Sequence, residues 1–315
     1  MTEPADQEAR VSKSGYHWYV LAVLCLLALC SNIDRQLPAV LATPLQERFQ
    51  FTDTQYGLLQ GLAFALTYSL FAVPFGLLVD RTNRRNIIAF GVLVWSLLTI
   101  APAFATSYNQ LVVSRLGVGI GEAILAPAAY SLIADYFEPR QRGRAAGIFY
   151  GAVAVGAGSS MIFGGYVLRA LPHEGLVIAG LSFVPWQLVF MAAGAGGLLV
   201  TALALTIREP LRGEVHPGTV PSLPRTFRYV WMHRAILGRV MLVSAFMAMA
   251  GYGTSAWLTV YFERRFAIPA IQSAPAIGVM FIVTSIIGPM FGGWLSDKWA
   301  GQGNKSARYG VLLLA

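Results

Sequence analysis

Apolar residues in this chain run in long blocks separated by short polar stretches. Each block is near the roughly 20 residues that a helix needs to cross a bilayer core. Hydropathy and breaker residues place the blocks at 16–41, 54–79, 86–105, 110–136, 145–168, 186–207, 235–262 and 270–296. A ninth begins near residue 307 and supplies only a third of a span before Ala315. The pattern predicts an all-α membrane protein with eight complete spans.

Composition excludes the soluble alternative. Residues of the set AVILMFWYC make up 56% of the 315 positions and only 12% are charged, against about 45 to 50% and 25% in soluble domains. Residues 1–14 are polar, and the first apolar block is too long for a cleaved signal peptide, so a polar tail followed by a retained span is expected. Cys25 and Cys30 lie five residues apart on one predicted helix and point in different directions, so neither a disulfide nor a metal site is implied.

A net charge of +8 would suit nucleic acid were the cations clustered, but they fall in alternate loops. Arg48, Arg169, Arg264 and Arg265 lie on one side of the membrane, Arg35 and Arg115 lie within spans, and all other Lys and Arg lie on the side of the N-terminus. The positive-inside rule then places the N-terminus and the long loop after span six in the cytoplasm. That loop carries Pro210, Pro217, Pro221 and Pro224. It divides the chain into a six-helix unit at 1–207, a cytoplasmic linker at 208–234 and the start of a second unit at 235–315. Phe227 and Trp231 among Arg225, Arg228 and Arg234 suit either a short helix on the membrane surface or a solvated linker. An internal repeat supports the division: Gly76-Leu77-Leu78-Val79-Asp80-Arg81 closes span two and Gly293-Trp294-Leu295-Ser296-Asp297-Lys298 closes span eight.

The stretch from Gly76 through Asp80 and Arg81 to Arg84 and Arg85 resembles the loop signature that major facilitator proteins carry between spans two and three. Glu138-Pro139-Arg140-Gln141-Arg142-Gly143-Arg144 after span four supports it. The resemblance implies a major facilitator fold, two six-helix bundles of inverted three-helix repeats, with the C-terminal bundle incomplete in this chain. It assigns Gly76, Asp80, Arg81, Arg84, Arg85 and Asp297 to gating, with Gly76 allowing close helix approach and the charges latching the two bundles; the alternative is that they only anchor topology. Within that superfamily, Asn32-Ile33-Asp34-Arg35 in span one and Arg115-Leu116-Gly117-Val118-Gly119-Ile120-Gly121-Glu122-Ala123 in span four look like the Spinster family. Its animal members export sphingosine-1-phosphate or move lysophospholipids, and its bacterial homologues are thought to be proton-coupled. Localisation in a bacterial-type inner membrane, and a native chain of about 400 residues or more, follow from the same resemblance as expectations.

Among the acids only Asp34 and Glu122 fall well inside a span, with Arg35 and Arg115 the matching cations. Four unpaired charges at helix centres would cost roughly 10 to 14 kcal/mol on the insertion scale, which rivals the whole net stability of a domain, about 5 to 15 kcal/mol. They should face the bundle interior and pair. Arg115 and Glu122 are two helical turns apart on one face of span four, with Gly117 and Gly121 on the opposite, packing face. The functional reading is a proton-coupling and substrate-binding site at Asp34, Arg35, Arg115 and Glu122; the structural reading is a permanent ion cluster. Glu122, two turns from Arg115, is the acid expected to carry the proton when the outer side is open, with Asp34 switching alongside. In span seven Tyr252, Ser255 and Trp257 are either cavity lining or interface anchors. Span five partly resembles the glycine pattern of drug and proton antiporters, departing at Ser160 and Met161, and simple helix packing explains its glycines equally well.

The expected function is proton-coupled transport of an amphipathic anion, such as a lysolipid or sphingoid phosphate, by alternating access. A symporter of small organic anions is the alternative. The expected partners are that substrate, protons and membrane lipid, with no nucleic acid and no cofactor. An ATP-driven pump is disfavoured because Gly301-Gln302-Gly303-Asn304-Lys305-Ser306 lacks the Gly before Lys of a phosphate-cradling loop. A membrane-embedded enzyme is more remote still, with no nucleophile elbow and no H-E-x-x-H.

Overall fold

The computed structural model describes residues 15–172, 174–178, 180–210 and 223–301. The N-terminal tail, the middle of the linker with Pro217 and Pro221, and the ninth-span fragment lie outside the described residues. Among the described residues eight helices are long and apolar enough to cross a membrane. In chain order the elements are α1 Tyr16–Val40, α2 Ala42–Phe49, α3 Asp53–Gly57, a π turn at Leu58–Leu62, α4 Ala63–Val79, α5 Arg84–Ile100 with a tighter last turn at Ala101–Phe104, α6 Tyr108–Glu122, α7 Leu125–Tyr136, α8 Pro139–Ala170, β1 Leu176–Ile178, β2 Leu181–Phe183, α9 Pro185–Leu205, α10 Leu223–Met232, α11 Arg234–Phe266 and α12 Ala270–Gly301. Span two is α3 to α4, span four is α6 and α7, and the other spans are single long helices.

Local chemistry explains most boundaries. Pro139 and Pro185 open α8 and α9, where a missing N–H costs nothing. Asn83 caps α5 by accepting from the Asn86 amide at 3.0 Å. Thr52 and Gln55 form a reciprocal cap on α3. Span four is interrupted after Glu122 because Pro127 has no amide to offer the carbonyl of Ala123. Two features were not expected from the sequence: the short helix α2 after span one, and a hairpin of β1 and β2 between spans five and six. At the base of that hairpin Gly175 has φ +80°, and any Cβ there would collide with the Phe183 carbonyl.

The first six spans form one packed unit. Span one lies against spans five and six, span three against four and six, and span two against four. Glycines set the close crossings. Gly121 fits against Gly91 and Trp95 of span three, Gly117 against Leu98, and Gly119 against Phe64 and Thr67 of span two. Gly156, Ser160 and Gly164, one turn apart in succession, line the face of span five that meets Asn32, Ile33 and Val40 of span one. On another face, Gly158 and Gly278 bring spans five and eight so close that a Cβ on either would strike the other's carbonyl. The departure at Ser160 therefore belongs to helix packing. Large apolar side chains such as Leu66, Leu70, Val73, Phe90, Val113 and Leu199 point outward, as a lipid-facing surface requires.

Candidate functional site

Span one positions the first two intramembrane charges. Pro38 has no amide hydrogen, so the carbonyl of Asp34, four residues earlier, loses its helical partner. Arg115 of span four replaces it, donating from Nη1 to the Asp34 main-chain oxygen at 2.9 Å. Beside it Ser160 donates to the Ile33 carbonyl at 2.8 Å. The Asp34 carboxylate, fully buried, lies within electrostatic range of Arg115, Glu122 and the Thr99 hydroxyl. Its Oδ2 has no hydrogen-bond partner among the described residues.

Arg35 makes the one ion pair among these four residues. Its Nη2 meets Glu122 Oε2 at 2.7 Å, and Ser31 donates to the same oxygen at 2.8 Å. The guanidinium carbon sits 4.5 Å from the ring centroid of Phe64 and 5.1 Å from that of Tyr68. A planar cation stacked this way loses less on leaving water than a bare one would. The other terminal nitrogen, Nη1, reaches the hydroxyl of Tyr252 in span seven at 3.3 Å, while Nε has no partner among the described residues. Arg35 therefore joins spans one, two, four and seven at a single point.

The expectation that all four charges face the interior agrees with their burial, but their pairing differs from a mutual cluster. Arg115 serves a backbone carbonyl, and the reason is Pro38. Glu122 is indeed two turns from Arg115, yet it is not remote from arginine, because Arg35 reaches it from span one. In this conformation Glu122 is the acid held by an ion pair, through Oε2, and Asp34 is the acid with no ion pair among the described residues, while each keeps one carboxylate oxygen without a hydrogen-bond partner.

The gating candidates separate in the same way. Arg84 is buried and committed: Nε meets Glu209 Oε1 at 2.7 Å, and Nη1 pairs with Asp135 and donates to Ser131 Oγ at 3.0 Å. The Arg85 amide donates to the other Glu209 oxygen at 3.1 Å. These partners lie at the end of span four and the start of the linker, so Arg84 ties the linker to the first six spans, and among the described residues it makes no bond to span seven or eight. Tyr16 and Tyr136 reinforce the tie, donating to the Thr206 and Arg208 carbonyls. Gly76 has open space where a Cβ would sit, so among the described residues it makes no close helix approach. Asp80 and Arg81 are exposed at the end of α4. Asp297 lies on α12, and its side chain is outside the described set.

In span seven Ser255 turns back to the Tyr252 carbonyl at 2.9 Å, and Trp257 packs edge-on against Tyr56 at 4.9 Å. Sequence reasoning missed the groups that close the far side, opposite the N-terminus. Arg264 grips Asp53 with both terminal nitrogens at 2.7 Å, and Gln46 joins both residues at 2.9 and 3.2 Å. Thr43 donates to Glu263 at 2.5 Å, Tyr56 to the Ala256 carbonyl at 2.8 Å and Thr259 to the Ala39 carbonyl at 2.6 Å. The available signal was that Asp53, Glu263 and Arg264 fall in polar stretches on the same predicted side.

Eight apolar helices and a group of intramembrane charges are the features that comparison with known proteins can place in a family. The sequence model described as Major Facilitator Superfamily matches residues 24–315. The chain belongs to that superfamily. Within it the chain is Spinster-like. It is 34% identical over 218 residues to Protein spinster homolog 1 of Mus musculus, covering 68% of this chain and 39% of the relative. It is 24% identical over 288 residues to an MFS-type efflux pump of Mycolicibacterium smegmatis, covering 90% and 63%. Among solved structures, a bacterial homolog of the human lysosomal transporter Spinster, in an inward-facing and unoccupied conformation, superposes with a TM-score of 0.80 at 33% identity, covering 92% of this chain and 64% of that one. The chain thus spans about two fifths of the mammalian relative's length.

Proposed function

We propose that this protein is a proton-coupled secondary transporter that moves an amphipathic anion, of the lysolipid or sphingoid phosphate kind, by alternating access. The observation that carries the reading is the pair of Arg35 and Glu122, a partly buried cation and a fully buried acid that share one contact at 2.7 Å beside span seven. With both acids ionised, the four intramembrane charges sum to zero. Protonating Glu122 breaks its pair and leaves Arg35 free to hold an anionic head group; releasing the proton makes Glu122 compete with that anion. Proton and substrate then bind with affinities that depend on each other, which is what coupling requires.

The aromatic surround of Arg35, Phe64 and Tyr68, favours an amphiphile over a compact polar anion. The contacts of Asp53, Thr43 and Tyr56 with span seven support an inward-facing state, with the far side as the outside and the N-terminus in the cytoplasm of a bacterial-type inner membrane. Residues 1–207 form the first bundle in this reading, 208–234 the linker and 235–315 the start of the second bundle. Asp80, Arg81, Arg85 and Asp297 remain the proposed inner gate. Proteoliposomes with an imposed pH gradient test the function: lysolipid movement that follows the gradient supports it, and movement of a small organic anion with none of lysolipid overturns the substrate class.

A further inference from the structure

Arg35 is the one intramembrane charge whose side chain is not sealed off, at 14% exposure against 0% for its partner Glu122. Its contact to Tyr252, at 3.3 Å, is longer than the 2.7 to 3.2 Å of a well-made N–H···O bond. Little is lost when another acceptor takes that donor. The phenol accepts in this contact, and among the described residues no acceptor takes its own O–H. Two donors therefore converge from two helices, Nη1 of Arg35 from span one and the hydroxyl of Tyr252 from span seven. The backbone under Tyr252 is steadied by Ser255, itself buried, which donates to the Tyr252 carbonyl.

We propose that Tyr252 is a substrate ligand and the specificity-determining partner of Arg35, an inference that rests on the reading of Arg35 as the head-group cation. An anion entering between the two residues accepts from Nη1 and turns the phenol from acceptor into donor. A tetrahedral oxyanion, such as a phosphate monoester, offers one oxygen to each residue and still has another. A carboxylate has only two oxygens, fixed in one plane, and cannot face both helices equally well. The site therefore selects single-chain amphiphiles with a tetrahedral oxyanion head over carboxylates of equal chain length. Tyr252 also lies on the same helix as Arg264, three turns along, so a head group drawn against it acts on the span that closes the far side.

The test is equilibrium binding of octyl phosphate and octanoate to the whole protein in nanodiscs, for wild type, Tyr252→Phe and Arg35→Gln. Tyr252 is half exposed and the Phe ring keeps its packing, so folding is preserved. The expected result is a loss of about tenfold or more for octyl phosphate in Tyr252→Phe, since hydrogen bonds to charged groups are the stronger class. Octanoate affinity should change less than about twofold, so the preference between the two ligands disappears. A merely structural role would lower both affinities together. Equal losses, no loss, a gain for octyl phosphate, or a wild type that does not prefer it overturns the proposal. Unchanged binding in Arg35→Gln defeats the underlying reading; binding lost in Arg35→Gln but intact in Tyr252→Phe defeats the role of Tyr252 alone.

Discussion

Arg115 donates to the main-chain carbonyl of Asp34, the carbonyl that Pro38 leaves without a helical partner. A proline in span one and an arginine in span four thus form one structural unit, and its loss should be visible as stability. Arg115→Ala leaves a buried carbonyl unpaired, at a cost of about 1 to 3 kcal/mol. Pro38→Ala restores the amide that this carbonyl needs. The expected outcome is a lowered melting temperature for Arg115→Ala and a smaller loss when the same change is made in a Pro38→Ala background, a coupling of about 1 to 2 kcal/mol. Additive losses in the double variant would show that the two residues act separately.

Glu122 carries a different expectation. Glu122→Gln keeps an oxygen that can accept from Ser31 and Arg35 but removes the charge, imitating the protonated acid. Substrate binding should persist and pH-driven accumulation should vanish, with downhill exchange retained. Uptake that follows an imposed pH gradient as in wild type would remove Glu122 from the coupling step.

How much of this could be read beforehand differs between fold and site. The eight spans were legible because a bilayer demands about 20 apolar residues per crossing, and the glycine face of span four because Gly117 and Gly121 share a side. The four intramembrane charges were legible because their cost demands a reason. Their partners were not. Whether Arg35 or Arg115 meets Glu122 depends on which carbonyl Pro38 frees and on the rotation of span one, and neither is a property of spacing. The Arg84 cluster was half legible: the arginine stood out in the loop signature, while Asp135 and Glu209 lie 51 and 125 residues away and only packing joins them. Gly76 stood out in the same signature, but no described residue makes the close approach that the signature names.

For Arg84 the expectation is structural. It is buried with two carboxylates, and Arg84→Ala leaves Asp135 and Glu209 facing each other without a cation, a change that costs about 3 kcal/mol where pairs are well buried and less here, since both acids are 21% exposed. Thermal unfolding should begin several degrees lower. Limited proteolysis should then cut near Pro210 sooner than in wild type, because the linker has lost its anchor. Unchanged proteolysis would separate Arg84 from the linker.

The far-side contacts give the last expectation. Arg264 and Asp53 are each about half exposed, at 53% and 51%, so their bidentate pair contributes no more than about 1 kcal/mol. That is small for folding but large for an equilibrium between two conformations, where about 1 kcal/mol changes the population ratio roughly fivefold. Asp53→Asn should therefore shift the protein toward the state open on the far side while leaving its melting temperature nearly unchanged. A cysteine introduced at Tyr56, whose hydroxyl is buried against the Ala256 carbonyl, should react faster with an impermeant maleimide in the Asp53→Asn background, with Cys25 and Cys30 first replaced by serine. Raising the salt concentration should move the otherwise native background in the same direction, since exposed pairs are screened and buried ones are not. Equal labelling in both backgrounds at low and high salt would show that other contacts, such as Thr259 on the Ala39 carbonyl, hold the far side closed without help from the charge pair.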